Sequence, residues 1–507
     1  MSQTGKIEVS QKEDLMYRIQ PVQIDWKPDK SGPDAVYAQI VRFVCQKVET
    51  GEWPVGTRLP SHRELARLFG VNRGTIGKAL DMLNSYGLIK GNRGNGTAIA
   101  SNTWSVLLPH QADWGSYVSA GYFQANKTVV QEINRLEFSP QMVRLGTGEL
   151  DPRLFPADMM KEALSRAASS IESLGYPEPL GLERLRKAVS RHLEKIGIIA
   201  PPSSILITSG ALQALQLISA SLLEGGSVVY TERPTYLNSL RVFQSAGLRL
   251  TGVAMDAQGI SMASLQNIVP LSSAKTDAVL YTIPTNHNPT GRTMTVDRRY
   301  ALLKFCANRR LPIIEDGAYQ DLSFDAAPPP LKAIDKIGTV IYLGSASKSL
   351  APGLRIGWLV GPEPVVQRLG DVKMQVDYGA SSLSQMVMAE FLESGMYDEY
   401  NVFLRNELRR RRDAALDVLN KRFRSIASWQ VPDGGFYIWL TLKETIHMEF
   451  IFRAAAKEGI LINPGDIYDF RRNNSLRLSY SYTTPEEFRD AALKLADIIE
   501  GELKKGI

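Results

Sequence analysis

One lysine of this 507-residue chain keeps company that a surface lysine would not need. Lys348 lies in Gly344-Ser345-Ala346-Ser347-Lys348-Ser349-Leu350-Ala351-Pro352-Gly353-Leu354-Arg355-Ile356-Gly357-Trp358, directly behind the apolar run Thr339–Leu343. A strand ending in such a loop delivers its lysine to the carboxyl edge of a sheet, where open α/β folds bind ligands. Ser345, three residues before the lysine, and Arg355, seven after it, can converge on one phosphate. The planar donor fork of arginine suits that task. Upstream, Leu311-Pro312-Ile313-Ile314-Glu315-Asp316-Gly317-Ala318-Tyr319 is a strand leading to an acid and then a tyrosine. Asn286-His287-Asn288-Pro289-Thr290-Gly291 is a turn, and taken alone would be no more than that. Thr208-Ser209-Gly210-Ala211-Leu212-Gln213 joins the run Ile205–Thr208 to a helix reaching Leu222, so a helix N-terminus there offers backbone donors to an anion. Glu232-Arg233-Pro234-Thr235-Tyr236 adds an aromatic ring.

One cofactor needs all of these parts at once: pyridoxal 5′-phosphate (PLP). Its aldehyde would form a Schiff base with Lys348. Asp316 would pair with the protonated pyridine nitrogen and keep the ring an electron sink. Tyr319 and Asn288 would donate to O3′, and Tyr236 would stack on the ring. Ser345, Arg355 and the amides of Ala211 and Leu212 would cup the phosphate. His287 reads as a satisfied neighbour of this set, not as an acid/base group.

The elements that must position these residues are legible in outline. From about residue 141, helical patterns alternate with the short apolar runs Ile205–Thr208, Ser227–Tyr230, Ala278–Ile283, Pro312–Glu315 and Thr339–Leu343. That alternation predicts an α/β domain over 141–507 whose mostly parallel sheet is covered on both faces. From about 363 the pattern is helical, with strand-like Gly435–Leu440 and Leu476–Tyr480, and predicts a smaller C-terminal subdomain. Ahead of this domain lies a connector over 101–140 with scattered aromatics (Trp104, Trp114, Tyr117, Tyr122, Phe123). Val129, Val130, Ile133 and Leu136 have helical spacing, so its end should dock on the domain that follows. Residues 1–32 read as a poorly ordered leader.

Residues 33–100 form a different kind of unit. Val36, Ile40, Val44 and Val48 mark one helix, closed by Gly51. Ser61-His62-Arg63-Glu64 is a capping box that opens a second helix, ended by Gly70. Asn72 caps a third, with Ile76, Leu80 and Leu83 on its buried face, and Gly87 ends it. Leu88-Ile89-Lys90 and Thr97-Ala98-Ile99, around the turn Gly91–Gly96, predict a hairpin. The sum is an α+β winged helix-turn-helix, the arrangement that lays its last helix in a DNA groove. Asn72, Arg73 and Thr75 occupy the first turn of that helix, where the N-terminus favours phosphate and long side chains reach base edges. Gly74 and Gly77 inside it each cost helix stability of roughly 1 kcal/mol relative to alanine.

Composition sets limits. Apolar content of 44% and charged content of 22% are ordinary for a globular chain, and no apolar run reaches the length of a membrane span. The net charge of +6 implies no global nucleic-acid surface, but residues 31–100 hold nine Lys/Arg against five Asp/Glu, a local +4. Cys45 and Cys306 form no spaced pair, which excludes a zinc ribbon or disulfide scaffold and fits a cytoplasmic location.

Gly56-Thr57-Arg58-Leu59-Pro60-Ser61, Arg63-Glu64-Leu65-Ala66, Gly70-Val71-Asn72-Arg73 and Gly87-Leu88-Ile89 resemble the GntR family of bacterial regulators. The resemblance implies DNA contacts from Arg63, Arg73 and Thr75, with Arg58 and Ser61 near the backbone. The lysine, acid and turn motifs, in their order, resemble fold-type I aminotransferases. That resemblance implies that Arg477, in Leu476-Arg477-Leu478, grips a substrate α-carboxylate above a loop containing Gly148. It also implies that Tyr176 reaches the phosphate of a neighbouring subunit in a homodimer. Ala211-Leu212 departs from the Ser-Gln usual in that family, so backbone donors remain there while side-chain donors are lost. The two domains together resemble the MocR subfamily of GntR regulators. The implied function is a PLP-dependent transcription regulator that binds an operator and senses an amine or amino acid, or PLP itself, at Lys348. The alternative is an active aminotransferase that also binds DNA.

Overall fold

The computed structural model describes residues 22, 24–92, 96–101, 128–270 and 278–504. The chain divides into two compact units, Met1–Gln124 and Ala125–Ile507. Among the described residues no helix is long and apolar enough to cross a membrane.

The first unit holds helices α1 (Val36–Glu49), α2 (His62–Phe69) and α3 (Arg73–Ser85), then an antiparallel hairpin of β1 (Ile89–Asn92) and β2 (Gly96–Ile99). The tip of the expected turn, residues 93–95, lies outside the described residues. Each helix boundary has a local cause. Ser61 Oγ accepts the amide of Glu64 at 3.3 Å, satisfying one donor that the start of α2 leaves open. Gly70 ends α2 at a φ of 65°, a backbone region that glycine enters without strain. Asn72 Oδ1 accepts both the amide of Thr75 at 2.8 Å and its hydroxyl at 3.0 Å. Ile40, Val44 and Val48 of α1, Leu65 and Phe69 of α2, and Ile76, Leu80 and Leu83 of α3 close on one core. Thr57–Leu59 adds a further edge to the wing, because Leu59 N donates to Thr97 O and Ile99 N to Thr57 O, each at 2.9 Å.

The expected leader is corrected at its end. Val22, Ile24 and Trp26 pack against the core of this unit. The Trp26 ring stacks on Phe43 with centroids 4.4 Å apart and meets Phe69 edge-on at 5.6 Å. The amide of Val22 donates to Arg58 O at 3.2 Å. Composition hid this, since one indole in a polar stretch leaves no periodic signal. Residues 1–21 and 23 of the leader lie outside the described residues, as do Trp104, Trp114, Tyr117, Tyr122 and Phe123 of the connector.

The second unit begins, among described residues, with α4 (Thr128–Glu137), whose Val130 and Ile133 are buried in its main core. Two short strands, β3 (Val143–Arg144) and, late in the chain, β14 (Ile460–Leu461), pair in parallel. The main sheet comprises β4 (Ile205–Thr208), β5 (Val228–Arg233), β6 (Arg249–Asp256), β7 (Gly259–Ile260), β8 (Ala278–Thr282), β9 (Ile313–Asp316), β10 (Val340–Ser345) and β11 (Gly357–Val360). Their spatial order is β4-β11-β10-β9-β8-β5-β6-β7. The strands β6, β5, β8, β9 and β10 run parallel, while β11 is antiparallel to both its neighbours. Every residue of β4, β9, β10 and β11 is buried, which requires cover on both faces. Sequence reading found five of these eight strands. It passed over β6 and its short partner β7, at one side of the sheet, and β11, which lies inside the Lys348 segment itself. The smaller subdomain carries an antiparallel sheet of β12 (Ala427–Ser428), β13 (Tyr437–Leu442), β16 (Ser475–Ser479) and β15 (Asn463–Pro464), in that order.

Replacing Trp26 with alanine should destabilise the first unit by about 2 kcal/mol, less than a fully buried Trp→Ala because the ring is part-exposed. Urea denaturation of the full chain, followed by near-ultraviolet dichroism, measures it. An unchanged midpoint would show that the N-terminal stretch adds nothing to the fold.

Candidate functional site

Strand register decides what meets at the carboxyl edge of the main sheet. Ser345 at the end of β10 sits opposite Gly357 of β11, and Gly357 sits opposite Thr208 at the end of β4. The loop Ser209–Gly210 therefore abuts the loop that carries Lys348 and Arg355. A Cβ on Gly357 would stand 3.0 Å from Ala211 N, so that helix start packs directly on β11. One strand further, Leu343 pairs with Asp316. The acid, the lysine loop and the helix N-terminus thus share one edge.

Asp316 is held from two sides: Tyr281 OH donates to Oδ2 at 2.6 Å and Ala318 N to Oδ1 at 3.0 Å. Burial pushes its carboxyl above the ordinary carboxylate range, against the pull of those donors and of nearby Lys348. Lys348 Nζ donates to Gly148 O at 2.7 Å. Asn288 Nδ2 donates to Tyr319 OH at 3.2 Å, and that hydroxyl lies 2.9 Å from Tyr437 OH. Arg355, in the left-handed region at a φ of 54°, turns its guanidinium back to donate to Ser209 O at 2.9 Å. Ser345 Oγ accepts the amide of Ser347 at 3.2 Å. Gln213 Oε1 satisfies the Ser209 amide at 2.8 Å, while Ala211 and Leu212 open the helix whose first-turn amides have no partner within it.

Arg477 is buried at 3% exposure, and its Nε has no hydrogen-bond partner. Its other nitrogens donate to Asn288 Oδ1 at 2.9 Å and Gly146 O at 2.6 Å. The guanidinium carbon lies 4.2 Å from the Tyr437 ring centre and 4.7 Å from that of Tyr468. Among the described residues no carboxylate lies within ion-pair distance of it. A buried cation met only by carbonyls and ring faces is a ready anion site. The Gly146-Thr147-Gly148 loop reaches it only because its two glycines lack side chains: a Cβ on Gly146 would fall 2.6 Å from Asn463 N, and one on Gly148 2.7 Å from Tyr437 OH.

Lys348, Asn288, Tyr319, Tyr236, Gly148 and Arg477 line one cavity of about 150 Å³, with Tyr437, Asn463 and Tyr468. Val130, Ile133, Asn134 and Glu137 of α4 line it too, with Glu149 and Ile467. Tyr176 is not among these residues. It is 81% exposed and meets Tyr378 with ring centroids 5.3 Å apart. Sequence reasoning missed Tyr281, Tyr437, Asn463 and α4's share of the wall. Tyr437 and Asn463 could have been sought as neighbours of Arg477, since Asn463 pairs with it across β15 and β16 and Tyr437 lies on the adjoining strand. His287 is buried, with Nδ1 2.8 Å from Thr290 Oγ1, and burial holds its imidazole down at about 3, a neutral ring.

Behind Lys348 runs a buried polar chain. Ser349 Oγ is 2.6 Å from Tyr397 OH, which donates to Asp321 Oδ2 at 2.7 Å. His192 Nε2 lies 3.5 Å from the same oxygen. Burial opposes protonation of His192, but the Asp321 carboxylate outweighs it and raises the imidazole above its ordinary value. This chain fixes the residue next to the lysine.

Two family descriptions match. "Aminotransferase class I and II" covers residues 140–495, and "Bacterial regulatory proteins, gntR family" covers residues 36–99. The uncharacterised HTH-type transcriptional regulator YdfD of Bacillus subtilis is 46% identical over 466 residues, covering 92% of this chain and 96% of that protein. The HTH-type transcriptional regulator NorG of Staphylococcus aureus is 35% identical over 449 residues, covering 86% of this chain and 98% of its own. The kynurenine aminotransferase of Pyrococcus horikoshii, solved in complex with PMP, superposes with a TM-score of 0.73 at 30% identity, covering 77% of this chain and 99% of that one. The chain belongs to the MocR-type GntR regulators.

The cofactor of a MocR-type chain with this aminotransferase fold is PLP, and the residues present fit it: a buried acid, a lysine at the same sheet edge, a hydroxyl–amide pair, and an arginine and a helix N-terminus side by side. When bound, PLP supplies an aldehyde for an amine and an electron-withdrawing ring. Asp316→Asn, which keeps the shape and removes the charge, should lower PLP affinity about tenfold or more. Fluorescence titration of the cofactor-free chain measures this; equal affinity would exclude Asp316 as the ring's counter-ion.

Proposed function

We propose that this chain is a transcription regulator that binds an operator through its first unit and senses an amine or amino acid through PLP held at Lys348. One observation carries the reading: a lysine amine and a buried arginine without a counter-ion line one cavity, on a polypeptide that also bears a GntR-type helix-turn-helix. Lys348 would hold the coenzyme aldehyde, with Asp316 at the pyridine nitrogen and Tyr319 and Asn288 at O3′. Tyr236 would stack on the ring. Ser345, Arg355 and the amides of Ala211 and Leu212 would receive the phosphate. Arg477 would take the effector's carboxylate above Gly148.

In the first unit Arg63, Asn72, Arg73 and Ser61 are exposed, and Arg58 and Thr75 are half-buried. Arg73 at the head of α3 is free to reach base edges, and the start of α3 favours phosphate. The Thr75 hydroxyl already donates to Asn72, so it would serve DNA as an acceptor. Exposed Tyr176 beside exposed Tyr378 supports a homodimer in which that tyrosine meets a second copy. A dimer would also present two winged helices to spaced half-sites.

A ligand shifts a conformational equilibrium only through unequal affinity for its two states. PLP held at Lys348 would offer its aldehyde to an effector amine, and Lys348, freed to move, and Arg477, holding the effector's carboxylate, would then favour a different closure of the smaller subdomain. The second reading, a working aminotransferase that also binds DNA, is favoured by the completeness of the set around the cavity: Lys348 for proton transfer, Asp316 and Arg477.

Gel-shift titrations of operator DNA with candidate amines test the sensor. The wild-type chain should change its DNA affinity several-fold with one class of amine, and Lys348→Ala should abolish that response. A full response in the alanine variant would contradict sensing through the lysine, and sustained turnover of amino-acid and keto-acid pairs would favour the enzyme.

A further inference from the structure

The cavity is lined by groups of both charges, and a simple amino acid explains only the basic ones. Its basic groups are Lys348 and Arg477, and its acidic groups are Glu137 and Glu149. An amino-acid effector uses both basic groups, its carboxylate on Arg477 and its amine in place of Lys348. The two carboxylates then remain, beside Asn134 and the apolar Val130, Ile133 and Ile467. Glu137 is oriented for use. Thr147 OH donates to its Oε1 at 2.6 Å, and a carboxylate retains further acceptor sites after one such bond. Glu149 directly follows Gly148, whose carbonyl receives Lys348, so its place is set by the same loop. That this cavity takes a ligand at all has independent support in the buried, unpartnered Nε of Arg477.

We propose that the effector is a basic amino acid, whose distal cationic group is received by Glu137 of α4 and Glu149; this rests on the sensing function proposed above. A second carboxylate on the ligand would face half-buried Glu137 and exposed Glu149 and find no second arginine among the lining residues, and like charges repel. A purely aliphatic ligand would reach Val130, Ile133 and Ile467 but gain no charge interaction from either acid. A distal ammonium supplies three donors and one positive charge to that wall. In sequence, α4 is the first described helix after the DNA-binding unit and lies in the connector, so a ligand that engages Glu137 acts on the segment leading back to that unit.

Calorimetric titration of the full-length, PLP-loaded chain with L-ornithine, L-norleucine and L-glutamate tests this. Ornithine should bind about tenfold or more tightly than norleucine, the scale of one charge-assisted hydrogen bond, with glutamate weakest. In the double variant E137Q/E149Q, ornithine and norleucine should fall within about threefold of each other. Norleucine or glutamate matching ornithine in the wild type, or an ornithine advantage that survives in the double variant, would overturn the proposal and leave amine sensing intact. Failure of all three to bind would overturn this proposal, while the gel-shift response to other amines decides the sensing function separately.

Discussion

A carboxylate almost wholly out of water must find positive charge or become neutral. Asp316, 9% exposed at the end of a fully buried strand, sets that condition for the whole second unit. Tyr281 and the Ala318 amide give it hydrogen bonds but no charge. The pyridinium nitrogen of bound PLP would supply that charge, and the rest of the edge would then follow. Lys348 shares that edge and would hold the aldehyde, and Ser345, Arg355 and the Ala211 helix, which meet there, would receive the phosphate. The antiparallel strand β11 makes this possible, because it brings the ends of β10 and β4 into one row.

The same logic of unpaired charge would link the cofactor to the proposed effector. Arg477 is buried between aromatic rings without a counter-ion, and it shares Asn288 with the Tyr319 hydroxyl. An anion arriving at the guanidinium is therefore felt, through one amide side chain, at the group facing the coenzyme. The polar chain from Ser349 through Tyr397 and Asp321 to His192 holds the other side of the lysine in place. Such a site can respond to a ligand at two points while its scaffold stays rigid.

What the sequence disclosed, and what it hid, follows from range. Lys348, Asp316, Tyr319 and Asn288 announce themselves because each sits in a short segment whose neighbours serve the same turn. Ser61, Gly70 and Asn72 do so because helix caps are local physics. Tyr281 looks like any β-strand tyrosine until β8 and β9 are paired. Tyr437 and Asn463 are meaningful only beside Arg477, across β13, β16 and β15. Trp26 joins the first core from a stretch with no apolar rhythm. The pairing of β3 with β14, more than 300 residues apart in the chain, returns the start of the second unit to the late subdomain, and no local pattern encodes it.

Borohydride reduction of the intact, PLP-saturated chain, followed by peptide mass spectrometry, addresses the central claim most directly. The account predicts one phosphopyridoxyl adduct, on the peptide that contains Lys348. Absence of an adduct, or its appearance on another lysine while the Lys348 peptide stays unmodified, would contradict it.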